Sequence, residues 1–433
     1  MYDLIILEPM SSETGLRTTE HVYEFLRKDI RWAVAGGDIA ELGKCVEALK
    51  HMEGVEERLV PSIEVCASTK EDIQALVRKT KVIINMLDVG NGRGEMVIEA
   101  CATNGTHYLD PASDIHWLGG MVRKYHDVAR ENRSIILSHV SVESTPQDLL
   151  TLCAVLELKN KMSLQTKEVV CAINDYSYLS HPKVSTYILT NQTSYPTPPA
   201  SSPTSLRTTS TTSSLTLKSP RHPPLNPWFL SHAQGRTCTA SSLTNRLNLR
   251  RELTLGFLTP STTLSAQQTR VLIHRSWALL DSGHYYGEDF YYNEYREVKS
   301  REGVREKMGL GWVRRIYCQS QAPKGGSTSS NFSKESNSKI DSIGNSNNIS
   351  LRAIAIAAQE GPFPDRALAE FSYAESSAHL TAAFLAQGAA TILYTKGMLK
   401  RAGGGGVITP AVLGVEFLER LGSVGVEIRG ELV

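Results

Sequence analysis

The chain contains 433 residues, with 46 basic and 45 acidic side chains and a formal net charge of +1. This length can bury the cores of two domains, and the balanced charge gives no reason to expect a nucleic acid as a partner. The seven cysteines are scattered without a CxxC pair, which predicts no metal or disulfide framework and indicates reduced thiols in a cytoplasmic protein. No run reaches the roughly 20 apolar residues that span a bilayer, and the N-terminus lacks the features of a signal peptide.

Residues 1–150 alternate short apolar strands with helical patterns. The predicted strands are 4–7, 32–35, 63–66, 82–87, 107–110 and 134–139, and the predicted helices are 14–27, 39–50, 70–79, 95–104 and 117–132. Continuous apolar strands are typical of a parallel sheet that is covered on both faces. Right-handed crossovers then bring the carboxyl ends of the strands to one edge, where ligands bind. We predict an α/β fold with an N-terminal Rossmann-like, doubly wound parallel sheet over residues 1–150.

A second section begins near Thr145 with a helix to Leu158 and a strand at 168–173. The pattern then stops: thirteen of the twenty residues 201–220 are Ser or Thr, and no Asp or Glu occurs from Tyr176 to Arg251. Such a composition cannot bury enough apolar surface to order itself. Residues 176–267 are therefore predicted to be a disordered, low-complexity basic insertion. A wrong reading frame or a retained intron is the open alternative.

Regular patterns return near Thr269. Residues 151–175 and 268–404 are predicted to form a second α+β domain for substrate binding or oligomerisation, interrupted by a flexible Ser/Asn/Gly loop at 321–349. The aromatic stretch 285–295 favours a core or oligomer-interface strand over substrate stacking. A strand at 350–359 and a long buried helix at 373–395 follow.

Several local motifs occur in a characteristic order along the chain. They are Trp-Ala-Val-Ala-Gly at 32–36, Asn-Met-Leu-Asp-Val-Gly-Asn-Gly-Arg-Gly-Glu at 85–95, Gly-Thr-His-Tyr-Leu-Asp at 105–110, Ser-Thr-Pro-Gln-Asp at 144–148 and Gly-Val-Ile-Thr-Pro-Ala at 406–411. Together they resemble the saccharopine dehydrogenase-like oxidoreductases, which include trans-acting enoyl reductases. The resemblance covers about 1–155 and 268–433. It implies a Rossmann domain, a second α+β domain, and a C-terminal segment, 405–433, that packs back on the first domain.

The resemblance also implies an activity. Such enzymes use NAD or NADP to reduce a double bond, here in a lipid- or polyketide-type substrate that is a small molecule or a carrier-bound acyl group. Peripheral contact with a membrane or lipid droplet, and a homodimer, are compatible with this expectation. Two alternatives stay open: a cofactor-free or cofactor-weak isomerase or cyclase, and a non-catalytic binding protein.

The first phosphate-binding turn departs from the family pattern. Residues 9–15 read Pro-Met-Ser-Ser-Glu-Thr-Gly, where the family has Gly-Ala-Thr-Gly-Tyr-Thr-Gly. The missing glycines normally let the backbone turn tightly and approach the pyrophosphate, and Glu13 would repel that anion. Asp38, near a place where the family often has Arg, favours NAD over NADP. Cofactor binding is therefore predicted to be altered or lost. The candidate cofactor-binding residues are Ser11, Ser12, Thr14, Gly15, Gly36, Gly37, Asn85 and Asp88.

Three titratable residues near the predicted ligand edge are the candidate catalytic groups. Asp110 ends one strand and could orient a substrate or a ribose. His139 and Glu143 follow another strand and could act in acid–base chemistry. The alternative for this second cluster is structural, with Ser144 capping the next helix. Asp114 is expected to cap the helix that begins at residue 115.

Overall fold

The computed structural model describes residues 1–52, 58–87, 92–173, 225–231, 249–261, 263–298 and 349–433. Its first part alternates strands and helices within two residues of the predicted bounds. These elements are β1 (Tyr2–Leu7), α1 (Glu13–Phe25), β2 (Trp32–Gly36), α2 (Ile39–Lys50), β3 (Ser62–Val65), α3 (Lys70–Val77), β4 (Thr80–Asn85), α4 (Arg93–Asn104), β5 (His107–Leu109), α5 (Ile115–Glu131) and β6 (Ile135–Leu137).

The remaining elements build the second part of the described chain and the C-terminal segment. They are α6 (Thr145–Met162), β7 (Thr166–Ile173), β8 (Arg250–Glu252), β9 (Gly256–Pro260), α7 (Leu264–Leu279), β10 (Tyr291–Glu297), β11 (Ile349–Ala357), β12 (Arg366–Tyr373), α8 (Ser377–Tyr394), α9 (Met398–Arg401), β13 (Gly406–Ile408), α10 (Val415–Gly422) and β14 (Glu427–Leu432).

The first sheet has seven strands in the order β13-β6-β5-β4-β1-β2-β3, and each of its ladders is parallel. Apart from the exposed edge strand β3, its strands are buried on both faces: Leu4 and Ile6 of β1 belong to one hydrophobic cluster, while Ile5 and Leu7 belong to another. The chain runs outward from β1 through β3 and then returns to β4 on the other side of β1. The doubly wound parallel sheet is therefore confirmed, and its switch point lies between β1 and β4.

Local hydrogen bonds fix where four of the helices around this sheet begin. The side chain of the residue before α1, α2, α3 and α5 accepts a backbone N–H from the first turn; these residues are Ser12, Asp38, Thr69 and Asp114. Such caps satisfy amide groups that have no partner within the helix. The capping role predicted for Asp114 is confirmed, since its carboxylate accepts from the amides of His116 and Trp117.

The second sheet is mixed and has the order β14-β12-β11-β7-β10-β9-β8. The β7–β10 ladder is parallel, while the other ladders are antiparallel. Helix α6 packs on β11, β12 and β14. The second α+β domain expected from the sequence is thus present. Its long helix begins later than predicted, because Tyr373 ends β12 and Ser376 caps α8.

Two stretches that the sequence assigns to the basic insertion are part of this fold, which differs from the expected disorder. Trp228 is fully buried in the main hydrophobic cluster. Residues 250–260 supply β8 and β9, and Arg250 makes a two-pronged ion pair with Glu168 of β7 at 2.7 and 3.1 Å. Residues 174–224 and 232–248 lie outside the described residues, as does the predicted loop at 321–349 except for its last residue, which begins β11.

The C-terminal segment contacts both sheets. Strand β13 pairs in parallel with β6 and forms the outer strand of the first sheet, as the resemblance implies. Strand β14 instead pairs with β12 in the second sheet. Helix α8 lies against α1 and the first sheet, where Gly388 approaches Leu109 and Gln387 contacts His21. The predicted return of residues 405–433 to the first domain therefore holds for β13 but not for β14.

A buried carboxylate joins α6, α7 and the C-terminal segment. Asp148 accepts a hydrogen bond from the Ser276 hydroxyl at 2.6 Å and one from the Ala411 amide at 2.8 Å, and Ser276 also contacts Thr409. Burial raises the pKa of Asp148 to about 7, although both hydrogen bonds act in the opposite direction. The charged form is therefore disfavoured in the folded protein near neutral pH.

This carboxylate should make stability depend on pH. Because its folded pKa lies above its unfolded value, Asp148 contributes full stability below about pH 4, loses it as the pH rises to about 7, and changes little above that. The loss is on the order of 4 kcal/mol, at roughly 1.4 kcal/mol per pKa unit. Asp148→Asn should remove this slope. Urea unfolding at pH 5, 6 and 8 measures the free energy of unfolding of both proteins. The same dependence of this free energy on pH in the two proteins would contradict the role assigned to Asp148.

Candidate nucleotide and catalytic site

The turn between β1 and α1 is built without the expected first two glycines. Glu8 follows β1 in a left-handed conformation (φ 54°), and residues 9–11 form a single 3₁₀ turn. Ser12 is extended, and its Oγ accepts the Gly15 amide at 3.1 Å. The Ser11 hydroxyl donates to the Met86 carbonyl at 2.9 Å, which joins this turn to the end of β4.

Gly15 keeps the third glycine of the motif and its physical role. A Cβ at this position would lie 2.2 Å from the carbonyl oxygen of Pro9, so only glycine lets α1 pack against the turn. The neighbouring Thr14 is partly exposed, and its carbonyl accepts the Thr18 hydroxyl at 2.7 Å. The first turn of α1 therefore keeps the close packing of a nucleotide-binding helix.

The end of β2 is covered by a side chain that the sequence did not single out. Glu8 Oε1 accepts the Gly37 amide at 3.1 Å, and the Glu8 carboxylate lies 3.2–3.3 Å from the place of a Cβ on Gly36. Asp38, the predicted selector of NAD, accepts the Ala40 and Glu41 amides as a helix cap. The sequence could have indicated this role, because Glu8 is an acid directly after the first apolar strand, where the chain must turn.

Three neighbouring strands end in one buried chain of hydrogen bonds. Asn85 donates to the Tyr108 hydroxyl at 3.0 Å, and Tyr108 donates to Asp110 at 2.6 Å. Asp110 also accepts the Ser138 hydroxyl at 2.7 Å and the amides of Ala112 and His139 at 3.0 and 3.3 Å.

Burial raises the pKa of Asp110, although its four donors oppose the shift. Asn85 is equally engaged, because its Oδ1 accepts the Leu87 amide at 3.2 Å. Both residues thus hold the strand ends in place. Asp88, the remaining predicted residue of this edge, lies outside the described residues.

His139 and Glu143 lie close in sequence but have different environments. His139 is buried in a left-handed conformation (φ 70°), and burial lowers its pKa to about 4, so its ring is neutral at pH 7. Its Nδ1 has no hydrogen-bond partner among the described residues. Glu143 accepts the Ser141 hydroxyl at 2.8 Å, and burial raises its pKa.

Ser144 precedes α6, but its side chain makes no capping hydrogen bond. The predicted capping by its hydroxyl is therefore wrong. Thr145 Oγ1 instead accepts the Ser141 amide at 3.1 Å, which turns the chain into the helix.

The strand order and backbone of this site suit a nicotinamide dinucleotide, but one side chain, that of Glu8, does not. The parallel strand order, the close packing at Gly15 and the small residues at Gly36 and Gly37 all suit the adenosine half of such a cofactor. The Glu8 carboxylate, however, fills the space at the end of β2. Within the described residues, no group of three potential ligands could hold a metal ion, and no helix is long and apolar enough to cross a membrane.

The sequence of the first domain is similar to those of known proteins. Residues 20–137 match the family described as Saccharopine dehydrogenase NADP binding domain. A relative from Arabidopsis thaliana, named "Probable mitochondrial saccharopine dehydrogenase-like oxidoreductase", is 27% identical over 34% of this chain and 34% of its own length. "Putative trans-acting enoyl reductase" of Mycobacterium tuberculosis is 26% identical over 27% of this chain and 29% of its own length. The alignments thus span about a third of each protein.

Comparison of structures supports the fold of the described residues. Apo saccharopine dehydrogenase (L-Glu forming) from Saccharomyces cerevisiae matches with a TM-score of 0.52, 9% identity and full coverage of both chains. An identity this low shows the fold alone. Residues 20–137 are therefore similar in sequence to the NADP-binding domain of the saccharopine dehydrogenase family, and the chain has the fold of a saccharopine dehydrogenase.

Proposed function

We propose that this protein is an NAD(P)-linked oxidoreductase that reduces a double bond in a lipid- or polyketide-type acyl substrate. The match of residues 20–137 to an NADP-binding domain carries the first half of this proposal. The similarity to a protein named as a trans-acting enoyl reductase supports the second half. When bound, a nicotinamide supplies the hydride, and the protein supplies position and protons.

The buried hydrogen-bond chain would keep this edge rigid. Asn85, Tyr108, Asp110 and Ser138 join the ends of β4, β5 and β6 by contacts of 2.6–3.0 Å. A fixed floor of this kind holds reacting groups in one geometry, which is a large source of catalytic rate. We therefore assign Asp110 a positioning role rather than contact with the substrate.

His139 is the group best suited to handle a proton. Asp110 and Glu143 both accept hydrogen bonds from serine hydroxyls, whereas His139 Nδ1 has no partner among the described residues. Because its pKa is about 4, the ring is neutral at pH 7 and can relay a proton to the reduced substrate, donating one from Nε2 while it gains one at Nδ1.

Replacing His139 should lower kcat strongly. We choose His139→Asn because asparagine tolerates the left-handed conformation of this residue. The expected loss is roughly 10²–10⁴-fold, the usual effect of a lost acid–base group. Oxidation of NADH and NADPH with a panel of 2-enoyl thioesters measures it, and activity should fall below about pH 4–5, where the ring becomes charged.

A matched control is His116→Gln, because His116 lies exposed on α5 and caps nothing with its side chain. It should keep the parent rate. If His139→Asn also keeps that rate while its fold is unchanged, the proton-handling role is wrong. If the parent protein oxidises neither nucleotide with any acceptor, the proposed activity is wrong.

The contacts of Glu8 and Ser12 favour a second candidate, a cofactor-independent isomerase or cyclase on the same scaffold. Ser12 bonds the Gly15 amide in the expected phosphate loop, and Glu8 bonds the Gly37 amide after β2, so both amides are engaged without a nucleotide. Conversion of an acyl substrate without any added nicotinamide would support this candidate. A strict requirement for NADH or NADPH would exclude it.

A further inference from the structure

Glu8 lies in a closely packed position after β1, beside the end of β2. Its backbone amide donates to the Ala35 carbonyl at 2.7 Å, which fixes the residue beside the end of β2. Its left-handed conformation (φ 54°, ψ 50°) turns the chain at this point. Oε1 accepts the Gly37 amide at 3.1 Å, and both carboxylate oxygens lie within 3.3 Å of the place of a Gly36 Cβ.

The group that Glu8 contacts is one that a dinucleotide would use. Backbone amides at the end of the second strand, next to a helix N-terminus, suit ribose oxygens or a 2′-phosphate. Here the Gly37 amide is bonded to Glu8, and the first amides of α2 are bonded to Asp38. Two carboxylates therefore already neutralise the local positive field of the backbone.

We infer that Glu8 is a built-in competitor of the nucleotide, which sets both its affinity and its type. The inference rests on the proposed NAD(P)-linked function. A dinucleotide has to displace the carboxylate from Gly37 before its adenosine half can approach Gly36. A 2′-phosphate meets, in addition, the repulsion of a carboxylate beside the same amide. The intact protein thus binds NAD(H) weakly and NADP(H) more weakly still.

Glu8→Gly tests this competition directly. Glycine suits the left-handed conformation of residue 8 and removes the carboxylate. We expect roughly 10-fold tighter binding of NADH and roughly 100-fold tighter binding of NADPH, measured by nucleotide fluorescence and calorimetry. Glu8→Gln keeps the shape and removes only the charge, so it should improve NADPH more than NADH.

Glu131→Gln is the matched control. Glu131 is also an acid, but it is exposed at the end of α5, at the opposite edge of the parallel sheet from Gly37. Its replacement should change either affinity by less than about 3-fold. A second measurement without nucleotide is hydrogen exchange of the Gly37 amide, which should speed up in Glu8→Gly and stay unchanged in Glu131→Gln.

Two results would overturn the inference. One is an unchanged or weaker affinity in Glu8→Gly, which would make Glu8 a bystander or a ligand of the nucleotide. The other is the absence of saturable binding in every variant, because a different obstacle would then close the site. If Glu8→Gly binds NADPH tightly but reduces no acceptor, the inference stands and the proposed reductase activity fails.

Discussion

Gly15→Ala is expected to destabilise the folded protein by about 3 kcal/mol, near the upper end of the cost of overpacking. The added methyl carbon would lie 2.2 Å from the Pro9 carbonyl oxygen and 2.9 Å from its carbonyl carbon. Both atoms belong to the backbone, so no side chain can rotate away. Relief requires α1 to move from the turn, and this helix packs against α8 and supports the first sheet. Urea unfolding at pH 7 measures the loss.

Gly43→Ala is the same chemical change in an open environment. Gly43 lies within α2, and nothing lies within 4 Å of a Cβ built on it. Alanine should therefore stabilise the protein by roughly 0.5–1 kcal/mol through its better helix propensity. Equal effects of the two substitutions would show that the contact between α1 and the turn is not close.

Arg250→Met is expected to destabilise the second sheet by about 3–5 kcal/mol, the usual cost of leaving a buried charge without its partner. Both side chains of the Arg250–Glu168 pair are almost fully buried, and two hydrogen bonds join them. Burial alone would lower the pKa of Arg250, but Glu168 outweighs it and the net pKa is raised. Methionine keeps the length of the side chain while removing the charge, and unfolding in urea measures the loss.

Two further variants interpret that result. Glu168→Gln combined with Arg250→Met should recover much of the lost stability, because no carboxylate then remains uncompensated at residue 168. Lys70→Met breaks an exposed pair with Glu99 (3.1 Å) and should cost less than about 1 kcal/mol. If Arg250→Met costs no more than Lys70→Met, the buried pair does not hold β8 in the sheet.

Local pattern was sufficient for the first domain. Apart from the edge strand β3, its strands are apolar on both faces, and four of its five helices up to Leu137 begin after a capping side chain. The sequence therefore predicted every strand and α-helix between Tyr2 and Leu137 within two residues. Pattern failed where the partner lies far along the chain. Arg250 sits in a stretch without acids and rich in serine and threonine, and its partner Glu168 is 82 residues away. No local composition can reveal such a pair.

For the candidate site, the sequence located the strand ends and the lost glycines, which depend only on motif position, but not the side-chain contacts made there. It did not reveal that Asp110 binds four donors, because Ser138 and the His139 amide reach it only through the pairing of β5 with β6. It also missed Glu8, whose carboxylate contacts an amide 29 residues away. These roles follow from how strands align in the fold.

The C-terminal segment adds one strand to each sheet, and this affects how the chain folds during synthesis. Residues 406–408 complete one sheet at β6, and residues 427–432 complete the other at β12. Until these residues have left the ribosome, β6 and β12 lack their outer partners, and an unpaired strand readily pairs with other nascent chains. Neither sheet can therefore be completed until the last 28 residues, 406–433, are being translated.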